Sequence, residues 1–143
     1  MAHVSLITLG VEDLDRALRF YAGLGWEPSA ASVEDTIVFL RGGALVLALF
    51  PRADLAAEAG LDPAAPSGAT MALAMNVASQ DEVEATVEAA VRAGGWIARP
   101  GRRADWGGYS AYVTDPDGHL WEIAHNPAFP LRADGSITLP DEA

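Results

Sequence analysis

The carboxylate of Glu122 is the group in this chain most suited to chemistry. It stands in Leu120-Trp121-Glu122-Ile123-Ala124, alone among apolar neighbours. A lone acid in an apolar strand is costly unless it faces water, a metal or a pocket. Just before it, Asp115-Pro116-Asp117-Gly118 reads as a turn: Pro116 fixes φ, the aspartates bond nearby backbone, and Gly118 takes a positive φ cheaply. Strand-like residues on both sides, 110–114 and 120–124, make this a β-hairpin. Period-two alternation puts Leu120 and Ala124 on the face of Glu122. The chemistry open to such an acid is proton transfer beside a carbonyl, metal ligation, or binding of a cationic or hydrogen-bonding ligand.

The elements that must position Glu122 come in two similar runs. Residues 4–11 (VSLITLGV) form an apolar strand; Asp13 caps a helix carrying Leu14, Ala17, Leu18, Tyr21 and Leu24, which Gly25 stops. Trp26 opens a second strand, residues 36–40 give a third, Gly42-Gly43 a turn, and residues 44–50 a fourth. The order then repeats. Residues 70–77 form a strand, Ser79 to Glu82 a capping box, and Val83, Val87, Ala90 and Val91 the stripe of a helix. Gly94-Gly95 ends that helix, Trp96 opens a strand, and the final hairpin follows. The expected fold class is therefore α+β: two tandem βαβββ modules forming a curved mixed-sheet cup with helices outside. The expected organisation is one domain over residues 1–143, with module one at 4–50, a linker at 51–68, module two at 69–126 and a tail at 127–143. Residues 52–59 can form a short Ala-rich helix, and Ile137-Thr138-Leu139 is a strand candidate expected to pack over an edge or a second subunit.

Composition narrows the partners. Twenty acids against nine Lys and Arg give a net charge of −11, which argues against nucleic acid and anionic membranes. With no cysteine, disulfides, thiolate metal sites and a Cys nucleophile are excluded. No apolar run is long enough for a membrane span, and Met1-Ala2-His3 does not open a signal peptide, so a cytoplasmic protein is expected.

Two βαβββ modules closing on Asp-Pro-Asp-Gly-His-Leu-Trp-Glu resemble the vicinal oxygen chelate superfamily. That group includes glyoxalase I, extradiol dioxygenases, fosfomycin-resistance thiol transferases and bleomycin-resistance binding proteins. The resemblance spans residues 4–126, and residues 110–122 (SAYVTDPDGHLWE) are locally similar to the fosfomycin transferases, where the Ser, Tyr and Glu positions serve the site. It implies a cup, and in metal-dependent members a Mg, Mn, Fe, Ni or Zn ion on ligands from the first and fourth strands of each module. The matching positions here are Leu6, Leu47, Ala72 and Glu122. One possible ligand of four is too few for a transition metal competing with water, so no cofactor is expected. His3, His119 and His125 read as surface or turn histidines.

The resemblance implies that Ser110 and Tyr112 face the same side as Glu122, with Trp106 continuing that line. Thr8 shares a face with Leu6, and Asn76 with Ala72. These residues suit an apolar or aromatic small molecule with a few polar groups. Arg99, Arg102 and Arg103 read as a solvated loop, with an anion site as the other option. Trp26, Trp96 and Trp121 read as packing residues between sheet and helix. Three functions stay open: a bleomycin-resistance-like small-molecule-binding protein; a lyase, isomerase or dioxygenase-type enzyme using Glu122 with Tyr112; and a metalloenzyme with atypical ligands such as His125 or His3. A homodimer is expected from the resemblance.

Overall fold

The computed structural model describes residues 6–59, 62, 64 and 71–139. The chain separates into two compact units, Met1–Thr70 and Met71–Ala143. Each holds a four-stranded mixed sheet, ordered β1-β4-β3-β2 in the first and β5-β8-β7-β6 in the second. The expected βαβββ order is therefore present twice. Among the described residues no helix is long and apolar enough to cross a membrane.

In the first unit, β1 (Leu6–Val11) runs parallel to β4 (Leu45–Pro51), and β3 (Val38–Gly42) pairs antiparallel between β4 and the two-residue β2 (Glu27–Pro28). The helix α1 (Leu14–Gly23) starts where Asp13 accepts the N–H of Arg16 at 2.9 Å, satisfying an otherwise orphaned donor. It buries Ala17, Phe20 and Tyr21, and Gly25 at φ +96 takes the chain away from it. The hairpin turn lies one residue later than expected. Gly42 pairs with Leu45 inside the sheet, and the turn is Gly43-Ala44. Gly43 has φ +58, as the first position of a tight hairpin turn requires. Gly42 is needed for space instead, since a side chain there would run into the Trp26 ring, which lies against its backbone. A second helix, α2 (Arg52–Ala59), follows β4 directly, inside the stretch expected to be a linker. Most of residues 61–68 lie outside the described residues.

In the second unit, β5 (Leu73–Asn76) runs parallel to β8 (Leu120–His125); β7 (Tyr109–Thr114) and then β6 (Trp96–Arg103) complete the sheet antiparallel. Ser79 caps α3 (Gln80–Arg92) by accepting the N–H of Glu82 at 3.1 Å. Glu82 reaches back to the N–H of Ala78 at 2.8 Å, a variant of the expected capping box. Val83, Val87 and Ala90 are buried, whereas Val91 is exposed. Ala111 and Val113 of β7 with Trp121 and Ile123 of β8 are buried on one side of the sheet. Tyr109, also on that side by alternation, donates its hydroxyl to Glu84 of α3, which identifies the side as the helix-packing one. Trp121 is a packing residue, as expected. Trp96, half exposed at 50%, is not: it begins the edge strand β6, where no strand among the described residues covers it on one side.

The Asp-Pro-Asp-Gly turn is built around Asp115, which is fully buried. Its carboxylate accepts the N–H groups of Asp117 (2.9 Å) and His119 (2.8 Å) and meets His119 Nδ1 at 2.7 Å. His119 is thus a turn residue. In the tail, residues 137–139 do not form a strand; Leu131 and Ile137 make one isolated bridge across a small turn at Gly135.

Candidate functional site

The face of the second sheet opposite α3 carries the polar residues. Tyr112 and Glu122 are direct cross-strand partners, and the Tyr112 hydroxyl donates to Glu122 Oε2 at 3.4 Å. One step along, Ser110 pairs with Ala124; on the other side of β8, Ala74 pairs with Glu122 and Asn76 with Ala124. Directly paired residues project to the same side. Glu122, Tyr112, Ser110 and Asn76 therefore share one face, as alternation requires. Ala72 lies just before β5 and is exposed. Leu6 and Thr8 are on β1 of the first unit, Leu6 opposite Val46 and Thr8 opposite Ala48.

Arg99 joins this face, contrary to the expectation of a solvated loop. The whole arginine cluster lies in β6, and Arg99 is the register partner of Tyr112. Its Nη2 donates to Ser110 Oγ at 2.9 Å, and its Nη1 to the carbonyls of Ser110 (3.2 Å) and Pro100 (3.0 Å). The guanidinium carbon lies 5.0 Å from the centroid of the Tyr112 ring, in cation–π range. Register shifts lie on both sides of Arg99, between Ile97 and Arg99 and between Arg99 and Arg102. Bulges break period-two alternation and re-aim side chains, so the face of Arg99 was not readable from spacing.

Trp106 lies in the β6–β7 turn and is half exposed. Its ring folds over Gly108, filling the space a side chain there would occupy. Gly108 is two residues before Ser110, so the indole covers the end of the face that bears Ser110 and Tyr112.

The register also corrects one metal position. Leu47 pairs with Ile7, just as Trp121 pairs with Leu73, so Leu47 matches Trp121. The first-unit match of Glu122 is Ala48, opposite Thr8 as Glu122 is opposite Ala74. Ala48, like Leu47, offers no ligand atom. His125 is turned toward the carbonyl of Val77, with Nδ1 at 3.2 Å, and His119 is held by Asp115. His3 lies outside the described residues. Among the described residues no three His, Cys, Asp or Glu side chains gather as a metal would require. Of the positions that the resemblance matches to metal ligands, Glu122 alone carries a side-chain donor.

The comparisons with known proteins agree with this architecture. A glyoxalase-related enzyme from Fulvimarina pelagi is 41% identical, with a TM-score of 0.86 over 97% of this chain and 99% of its own. A lactoylglutathione lyase from Agrobacterium tumefaciens (22% identity, TM-score 0.66, 88% and 95% covered) shares the fold. So does the fosfomycin resistance protein FosX from Listeria monocytogenes (22% identity, TM-score 0.68, 88% and 94% covered). No curated protein matches significantly. The family model that describes the Glyoxalase/Bleomycin resistance protein/Dioxygenase superfamily matches residues 1–123. With both βαβββ units inside or overlapping that match, the chain belongs to this superfamily.

Proposed function

We propose that this protein binds a small organic molecule on the face of its second sheet opposite α3, with Glu122 and Tyr112 as the polar centre and no divalent metal required. The observation that carries the reading is the Tyr112–Glu122 pair, in direct register on the face away from α3. Among the described residues Glu122 has no cationic partner, so its carboxylate is available to a ligand. Ser110 and Asn76 add polar groups beside it, and Trp106 and Tyr112 add aromatic surface. A thermal-shift screen of small aromatic and polar compounds tests the reading. Hits are expected to stabilise the protein by mass action and to lose that effect in Glu122→Gln. Hits that stabilise Glu122→Gln equally would place binding elsewhere. Titration with Ni(II), Mn(II), Zn(II) or Fe(II) is expected to leave the melting temperature unchanged; saturable stabilisation that disappears in Glu122→Gln would overturn the metal-free part.

A second reading is supported by the 41% identity to a glyoxalase-related enzyme. Here Glu122 acts as general base or acid, hydrogen-bonded to Tyr112, on a substrate bearing a carbonyl. Turnover of lactoylglutathione without added metal, abolished in Glu122→Gln, would favour it over simple binding. The expected homodimer belongs to the same proposal. It is supported by Trp96 and Ile97, both exposed on the edge strand β6, and sedimentation velocity tests it.

A further inference from the structure

Arg99 is held in place by neutral groups. Among the described residues it has no carboxylate partner, although acids outnumber Lys and Arg by 20 to 9. What holds it is neutral: Ser110 through hydroxyl and carbonyl, the Pro100 carbonyl, and the Tyr112 ring beneath.

A guanidinium has five N–H donors in a fixed plane. The two on Nη1 go to Pro100 and Ser110, and one on Nη2 goes to Ser110 Oγ. Two donors are left, the Nε–H and the second N–H of Nη2. They lie side by side on one edge of the plane and match the spacing of two oxygens on a single carboxylate. Ser110 thus fixes one edge and leaves the opposite one for an anion. The bulges around Arg99 bring this edge beside Tyr112, whose hydroxyl meets Glu122.

We propose that Arg99 anchors the ligand, and that the ligand is a small carboxylic acid. Its carboxylate sits on the Nε–Nη2 edge of Arg99, and a hydroxyl or other donor beside the carboxylate is taken by Glu122. This rests on the reading of the face opposite α3 as the ligand site and adds the charge of the ligand to it. The long-range field of a chain with net charge −11 repels anions, so selection for an acid must come from this local contact. Ser110 is a positioning residue: it sets the orientation of the guanidinium.

The test uses the full chain and a matched pair of probes, mandelate and its neutral amide, in calorimetric titrations. Each carries a hydroxyl for Glu122 and a ring for Trp106 and Tyr112. Mandelate is expected to bind about tenfold or more tightly than the amide, the value of a charge-assisted bidentate contact. In Arg99→Gln the preference for mandelate over the amide is expected to vanish. Arg102→Gln, a charge control on the same strand, should leave mandelate binding intact. Ser110→Ala should narrow the preference for acid over amide without removing it. Equal binding of acid and amide to the wild type overturns the proposal without needing any variant to fold, as does tighter binding of phenylphosphonate than of mandelate. If acid and amide bind equally and both are lost in Glu122→Gln, the inference about Arg99 fails while the ligand face stands. If neither is lost in Glu122→Gln, the ligand face fails as well.

Discussion

The two sheets share one register and differ in what stands on it. In the first, Thr8 pairs with Ala48 and Phe39 with Ala48; in the second, Ala74 pairs with Glu122 and Tyr112 with Glu122. Phe39 is thus the counterpart of Tyr112 without the hydroxyl, and Ala48 the counterpart of Glu122 without the carboxylate. The edge strand next to that pair differs as well: β2 has two residues, whereas β6 has eight and brings Arg99 next to Tyr112. Duplicated backbone therefore does not imply duplicated chemistry. One copy gives an apolar strand pair, and the other places a carboxylate, a phenol and a guanidinium on one face.

The closing hairpins differ in the same way, and there the largest effect on stability is expected. The first closes on Gly43-Ala44, with Gly42 packed beneath Trp26. The second closes on a buried acid: Asp115 accepts two backbone N–H groups and pairs with His119. Asp115→Ala strands these donors and is expected to cost roughly 2–4 kcal/mol, lowering the urea midpoint by about 1–2 M. Gly42→Ala pushes only against the Trp26 ring and is expected to cost about 1–2 kcal/mol. If Asp115→Ala unfolds at the same urea concentration as wild type, the Asp115 network does not hold the hairpin of Glu122 in place.

A smaller effect comes from making the second sheet resemble the first. Tyr112→Phe converts that position to the residue found at Phe39. The bond it removes is long, 3.4 Å, so stability should change by less than about 1 kcal/mol. Binding of the screened ligands should weaken, because the Tyr112 hydroxyl no longer holds the Glu122 carboxylate. Unaltered binding would assign Tyr112 to packing alone.

How much of this was legible beforehand depended on local rules. Asp13, Ser79 and Gly118 act through contacts within a few residues, and each does what its sequence context predicts. The face shared by Ser110, Tyr112 and Glu122 was implied by the family resemblance, and the structure has it because β7 and β8 pair without a slip. Alternation failed where the backbone departs from it. Arg99 stands between two register shifts, so spacing along the chain could not show that it meets Tyr112. Leu47 and Ala48 differ by one residue, and only pairing with β1 shows which matches Glu122. Trp96 looked like Trp26, but Trp26 has Gly42 to lie on and an edge-on contact with Tyr21 at 6.4 Å, while Trp96 stays half exposed.

The smallest expected effect concerns the helix-facing sides. In the first unit α1 packs aromatic rings, with Phe20 edge-on to Tyr21 at 5.0 Å. In the second, Tyr109 of β7 reaches α3 through a hydrogen bond to Glu84, and Gly101 leaves the room that this pair needs. The bond to the Glu84 carboxylate raises the Tyr109 pKa above its ordinary 10.0, with desolvation and the charge of Glu84 acting in the same direction. A phenol whose pKa is higher folded than unfolded binds its proton more tightly when folded. Its contribution is therefore complete below pH 10.0 and declines as pH rises through the folded value. Tyr109→Phe should be slightly less stable than wild type at neutral pH, and the difference should shrink on the alkaline side. Urea unfolding of both proteins on either side of that pH measures this. A difference that stays constant across the range would mean that Tyr109 contributes by packing, as Phe20 and Tyr21 do, and not through its proton.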